Sequence, residues 1–159
     1  MPLNSVIVLF LGNSILTDDR IGLVLGNKLK NRLESLGYKV EILEKSGLAL
    51  IDYLEGYDIA IIVDSIKTGK YPVGSLILLK ESELKRVIVS PHYSGIFEAI
   101  ELMNFLNVNA PREIHVLAIE VEDPYTVSES LSPKLKSKVT TLAENVFEKI
   151  MEITNSSRL

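Results

Sequence analysis

Uninterrupted apolar, β-branched runs alternate along this chain with stretches whose apolar residues recur at helical spacing. Val6 to Leu11 is the first such run, and continuous hydrophobicity of that length predicts a strand buried on both faces of a sheet. A polar loop covers Asn13 to Arg20. Beyond it, Leu23, Leu25, Leu29, Leu33 and Leu36 repeat at helical spacing from Ile21, and Gly37 supplies the C-terminal stop. Val40 to Leu43 predicts a second strand, and Leu48 to Leu54 a short helix ended near Gly56. Ile59 to Val63 is the strongest strand signal, and it runs directly into Asp64.

Past Asp64 the pattern changes. Gly69 to Gly74 is turn chemistry around Pro72, and Leu76 to Leu79 predicts another strand. The connection from Val63 is too short for a crossover helix, so this strand is expected to run antiparallel to its neighbour. Val87 to Val89 leads into a loop at Ser90-Pro91-His92. Ile96 to Leu106 predicts an amphipathic helix, and Ile114 to Ile119 a last buried strand. An acidic, proline-bearing loop spans Glu120 to Ser132. Ser132-Pro133 then caps a final helix running to about Ile153, with a polar tail from about residue 154. The order predicts one α/β domain over residues 1–159 with a five-stranded, mainly parallel sheet.

Composition narrows the chemistry. The 159 residues carry 17 Lys+Arg against 21 Asp+Glu, a net charge of −4, which counts against a nucleic-acid binder. The absence of Cys removes disulfides, thiolate metal sites and a thiol nucleophile. The apolar start has no basic region before it and stops at Gly12-Asn13, far short of the roughly 20 residues of a membrane span. A cytoplasmic, uninserted protein is therefore expected.

In open α/β sheets ligands bind beyond the carboxyl ends of the strands. Three loops leaving such ends carry Asp18 and Asp19, Asp64, and His92. Carboxylates with an imidazole suit a divalent first-row metal, and three ligands leave a position for substrate. Each residue also has a plainer reading: Asp18 or Asp19 as a helix cap, Asp64 as a turn residue, His92 as an ordinary loop histidine. His115, within a strand pattern, reads as structural, and Glu120, Glu122 and Asp123 as a solvated loop. No dinucleotide, P-loop or serine-hydrolase motif is present.

Four segments in order resemble the hydrogenase maturation endopeptidases. Gly12-Asn13-Ser14-Ile15-Leu16-Thr17-Asp18-Asp19-Arg20-Ile21-Gly22 is similar to that family's Gly-Asn-x-Leu-x-x-Asp-(Asp/Glu)-x-x-Gly motif. Gly56-Tyr57-Asp58 through Asp64 resembles its third strand, Ser90-Pro91-His92 its histidine loop, and Glu120 to Pro124 with Leu131 to Pro133 its late loop. The resemblance implies an α/β/α sandwich around a mixed sheet, phosphorylase/hydrolase-like. It also implies a protease that removes the C-terminal extension of a nickel-iron hydrogenase large-subunit precursor once nickel is inserted. Asp19, Asp64 and His92 would meet nickel carried by that precursor, the isolated chain, a monomer, holding metal weakly. The chain departs from the family at Phe10, at Arg20 (a cation beside the expected metal), and at Glu44-Lys45-Ser46-Gly47, where the family often has Asp-Gly-Gly-Thr. Of that last loop, Gly47 keeps the backbone freedom expected there. The rival readings are a receiver-like signalling domain, disfavoured because the acidic pair lies well past the strand's end, and a non-catalytic metal-binding module.

Overall fold

The computed structural model describes residues 5–45, 47–80 and 91–157; the side chains of residues 80, 91–95 and 97 also lie outside the described set. Strand β1 (Val6–Leu11) leads to helix α1 (Ile21–Ser35), β2 (Lys39–Leu43), a 3-10 turn (Gly47–Leu50) continuing into α2 (Ile51–Leu54), and β3 (Ile59–Ile66). After β4 (Leu76–Lys80) come α3 (Pro91–Phe105), β5 (Glu113–Glu120), α4 (Pro133–Lys136) and α5 (Val139–Ser157). The strands form one sheet in the order β2-β1-β3-β5-β4. Four are parallel and β4 runs antiparallel to β5.

Every residue of β1 is buried. Val6, Val8 and Phe10 pack with α1 and α5, whereas Ile7, Leu9 and Leu11 pack with the 3-10 turn, α2 and α3. The two-residue period of a strand thus divides one apolar run between two cores, and the sandwich has helices on both faces. Gly37 ends α1 at φ +95°, its N–H bonding the Glu34 carbonyl at 3.0 Å.

The structure corrects several expectations. β4 is antiparallel as expected, but β5 lies between it and β3, so the neighbour it opposes comes later in the chain. β3 does not end at Asp64. It continues to Ile66, because β5 keeps pairing with it as far as Glu120 while β1 has already stopped. Pro91 and His92 begin α3 rather than sit in a loop; Val87 to Ser90 lie outside the described residues. The final helical region breaks at Ser137 and Lys138, where Lys138 Nζ reaches the Val73 carbonyl at 2.6 Å. α5 then runs through the polar residues to Ser157 in place of a tail from 154, with Thr154 buried and bonded to Tyr38 Oη at 2.7 Å. Among the described residues no helix is long and apolar enough to cross a membrane.

Candidate active site

The chain leaves β1 toward β2 through α1 on one face, and returns to β3 through α2 on the other. The carboxyl ends of β1 and β3 are therefore the point where the connections diverge, which opens a crevice between them. A cavity of about 100 Å³ lies there, lined by Leu11, Gly12, Asn13, Asp19, Glu44, Lys45 and Asp64. β1 makes room for it by stopping at Leu11, one residue after the Phe10–Val63 pair, whereas β3 runs on through Asp64 to Ile66.

Gly22 sets how closely the first loop returns. A Cβ on it would stand 1.8 Å from the Leu11 carbonyl oxygen, so only glycine lets the start of α1 press onto the end of β1. The Asn13 N–H bonds the Asp19 carbonyl at 3.2 Å, and Asp19 is held at the mouth of the crevice.

The two members of the acidic pair have separate fates. Asp18 is 0% exposed and turns away from the crevice: its carboxylate accepts from the N–H groups of Glu122, Asp123 and Ser132 and from the Ser132 hydroxyl, at 2.8 to 3.1 Å. It ties the first loop to the late loop. Asp19, 4% exposed, accepts the Ser65 hydroxyl on Oδ1 at 2.5 Å. Neither caps α1, whose first residue is preceded by Arg20 with no side-chain cap.

Asp64 is 5% exposed, with Oδ1 accepting the Ser65 N–H at 2.8 Å. Burial foremost, and the Asp19 charge after it, push its carboxyl well above the usual carboxylate range; the Ser65 N–H pulls the other way. By strand alternation Asp64 shares its face with Ile62 and Ile66, the face on which α3 packs. His92 belongs to the first turn of α3, but its side chain lies outside the described residues. The structure thus brings Asp19 and Asp64 together. No cluster of three metal-ligating side chains occurs among the described residues.

Glu44 and Lys45 also line the crevice, although in the sequence they stand out only as a loop that departs from the family pattern. Glu44 accepts the Ser14 N–H at 2.7 Å, which holds its carboxyl below the usual range. The Lys45 ammonium donates to Tyr53 Oη at 3.3 Å. Gly47 has φ +61°, the conformation expected of it. Arg20 is spent otherwise than expected: its guanidinium bonds the carbonyls of Leu16, Thr17 and Ser128 and braces the two loops. Glu120 is no solvated residue either. At 1% exposure it anchors the turn after β3 through the N–H of Thr68 (2.9 Å) and of Gly69 (3.3 Å).

The family model for hydrogenase maturation protease matches residues 24–149. The chain belongs to the hydrogenase maturation protease family. Membership makes it a peptidase, and the receiver reading is set aside. The hydrogenase 2 maturation protease of Escherichia coli is 27% identical over 157 residues, covering 91% of this chain and 94% of that protein. Protein FrxA of Pyrococcus furiosus is 28% identical over 140 residues, 85% of this chain and 97% of its own. Among solved structures, the hydrogenase maturating endopeptidase HybD of E. coli superposes with a TM-score of 0.73 at 25% identity, covering 93% of each chain. The [NiFe] hydrogenase maturation protease HybD of Thermococcus kodakarensis gives 0.71 at 25% identity, over 92% of this chain and 98% of that one. The family match begins after the acidic pair, so Asp19 is marked instead by its place in the crevice and by the motif around it.

Proposed function

We propose that this peptidase removes the C-terminal extension of a nickel-iron hydrogenase large-subunit precursor after nickel insertion, acting in the cytoplasm as a single-domain monomer. Asp19, Asp64 and His92 are the residues that meet the nickel carried by that substrate. The observation that carries this reading is the meeting of two carboxylates, from separate elements, in one small crevice at the strand ends. Among the described residues, Oδ2 of each takes no hydrogen bond and is left for a ligand. Carboxylate oxygens with one imidazole suit a divalent first-row ion while leaving positions for ligands that the substrate brings. His92 enters through its motif and through its place at the start of the helix covering the face that bears Asp64.

Nickel on the substrate docks at these side chains and brings the scissile bond to the crevice, so an unloaded precursor lacks the docking element. Recognition of that kind makes cleavage a check on cofactor insertion. The test is a gel-shift assay of precursor with and without nickel, using wild type, Asp64→Asn and His92→Ala. Cleavage confined to the loaded precursor, and lost in both variants, is expected. Cutting of nickel-free precursor at the wild-type rate overturns the recognition mechanism; full activity in both variants overturns the residue assignment.

A further inference from the structure

We infer that Ser65 is a positioning residue that clamps the two crevice carboxylates and presents one free oxygen of each to an incoming metal ion, an inference that rests on the reading of Asp19 and Asp64 given above. Ser65 follows Asp64 in β3 and is itself buried. Strand alternation puts its side chain on the opposite face from that of Asp64. There its hydroxyl donates to Asp19 Oδ1 at 2.5 Å, while its backbone N–H donates to Asp64 Oδ1 at 2.8 Å. One residue thus grips both carboxylates by the same-named oxygen.

The arrangement answers a physical problem. Two buried carboxylates in one crevice repel, and without fixed donors they rotate apart. A short hydroxyl-to-carboxylate bond is charge-assisted and fixes the plane of the Asp19 carboxyl group. With Oδ1 occupied on each, the two Oδ2 atoms, which take no hydrogen bond among the described residues, are left to ligate a cation. Such partners behind a ligand commonly govern metal affinity about 10- to 100-fold. The β3–β5 ladder supplies the rigidity: Ser65 pairs with Ile119 and Asp64 with Ala118, so the clamp stands on paired strand rather than on a loop.

The test uses Zn²⁺, a diamagnetic divalent ion with similar taste for oxygen and imidazole ligands, titrated into the whole chain and followed by amide chemical shifts around residues 19 and 64. This readout reaches dissociation constants in the millimolar range. Ser65→Ala removes the hydroxyl and keeps the N–H; Ser65→Thr keeps both. Weakening of Zn²⁺ binding by about tenfold or more in Ser65→Ala is expected, with recovery in Ser65→Thr and a native metal-free amide spectrum away from the crevice in each. Should Ser65→Thr fold poorly, the affinity of Ser65→Ala, read at a temperature where its metal-free amide spectrum is native, decides. Wild-type affinity in Ser65→Ala, with Asp19→Asn and Asp64→Asn both impaired, overturns the clamp and leaves the site standing. Wild-type affinity in Asp19→Asn and Asp64→Asn as well, or no binding by the unaltered chain, overturns the site and the clamp together.

Discussion

Ser132 donates both its backbone N–H and its hydroxyl to the carboxylate of Asp18, at 2.8 and 2.9 Å, across 114 residues of sequence. The hydroxyl of Ser132, preceding a helix that opens with Pro133, is the expected cap; here it is committed to Asp18, and α4 has no side-chain cap. The acidic pair is thus a division of labour. Asp18 binds the late loop to the first, and that frees Asp19 to face the crevice.

Removal of Asp18 should therefore cost stability more than any surface carboxylate. Asp18→Ala leaves three N–H groups and a hydroxyl without their acceptor, and buried donors left unpaired cost about 1–3 kcal/mol each before relaxation. A net loss of about 3–4 kcal/mol is expected, near the upper end for single substitutions. Ser132→Ala, which keeps the backbone bond, should lose about 1–2 kcal/mol. Urea unfolding of the two variants checks this, and an Asp18→Ala midpoint equal to wild type would refute the structural role.

Gly22 and Gly37 should respond very differently to alanine. At Gly22 the added Cβ meets the Leu11 carbonyl at 1.8 Å, and neither partner is a flexible side chain. Loss of more than about 3 kcal/mol, or failure to fold, is expected. At Gly37 nothing lies within 4 Å and the φ of +95° is the sole obstacle, a backbone cost of about 1–2 kcal/mol. Equal thermal stabilities for the two variants would contradict the close approach of α1 to β1.

What the sequence disclosed follows its periodicities. β1 read correctly because a six-residue apolar run buried on two faces leaves no other arrangement. The antiparallel direction of β4 was legible from a short connection, but its partner was not. That pairing accompanies a turn held by Glu120 through Thr68 and Gly69, contacts 52 and 51 residues apart in sequence that no local pattern announces. Glu120 itself read as solvated, since nothing local distinguishes a carboxylate that collects backbone N–H groups from one in water. Within the crevice, Asp64 was visible as a charge ending an apolar run. Glu44 and Lys45 were not, because their inclusion depends on where β2 ends beside β1. The split between Asp18 and Asp19 is expected from the resemblance, which gives the metal to Asp19 and leaves Asp18 to order the loop; what the sequence does not disclose is that the anchor is a loop a hundred residues away.

Nickel should bind the isolated chain weakly, and stripping metal from the enzyme should not matter. Asp19, Asp64 and His92 offer no thiolate, and the chain contains no Cys to supply one. If the ion arrives on the substrate, enzyme treated with chelator and then desalted processes loaded precursor at the untreated rate. Calorimetry should find an affinity far short of nanomolar, the level at which binding reaches about −12 kcal/mol. A chelated enzyme that recovers activity only when nickel is restored would show a resident metal instead.

Asp64 should make the stability of the chain depend on pH in metal-free buffer. Burial and the Asp19 charge raise its folded carboxyl pKa above the unfolded value, so the native state retains the proton longer than the unfolded chain does. The stabilising contribution of a raised pKa is fully present below the unfolded pKa of about 3.9 and is lost as pH rises through the folded value. Above the unfolded pKa the wild type therefore carries the cost of burying a carboxyl that the unfolded chain ionises freely, and that cost grows with pH until the folded value is passed. Every tenfold by which the fold weakens the acidity of that carboxyl costs about 1.4 kcal/mol. Asp64→Asn removes that cost and keeps an oxygen to accept the Ser65 N–H. The variant should melt above wild type at neutral pH, each kcal/mol raising the midpoint by about 2–4 °C in a chain of this size. Its advantage should shrink as the pH is lowered toward 4, where the wild-type carboxyl is protonated as well. Parallel melting curves from pH 4 to 8 check both halves. A variant no more stable than wild type at pH 8 would mean that the buried carboxylate is compensated within the fold, and Asp64 would then be a structural residue rather than a strained ligand held ready for a cation.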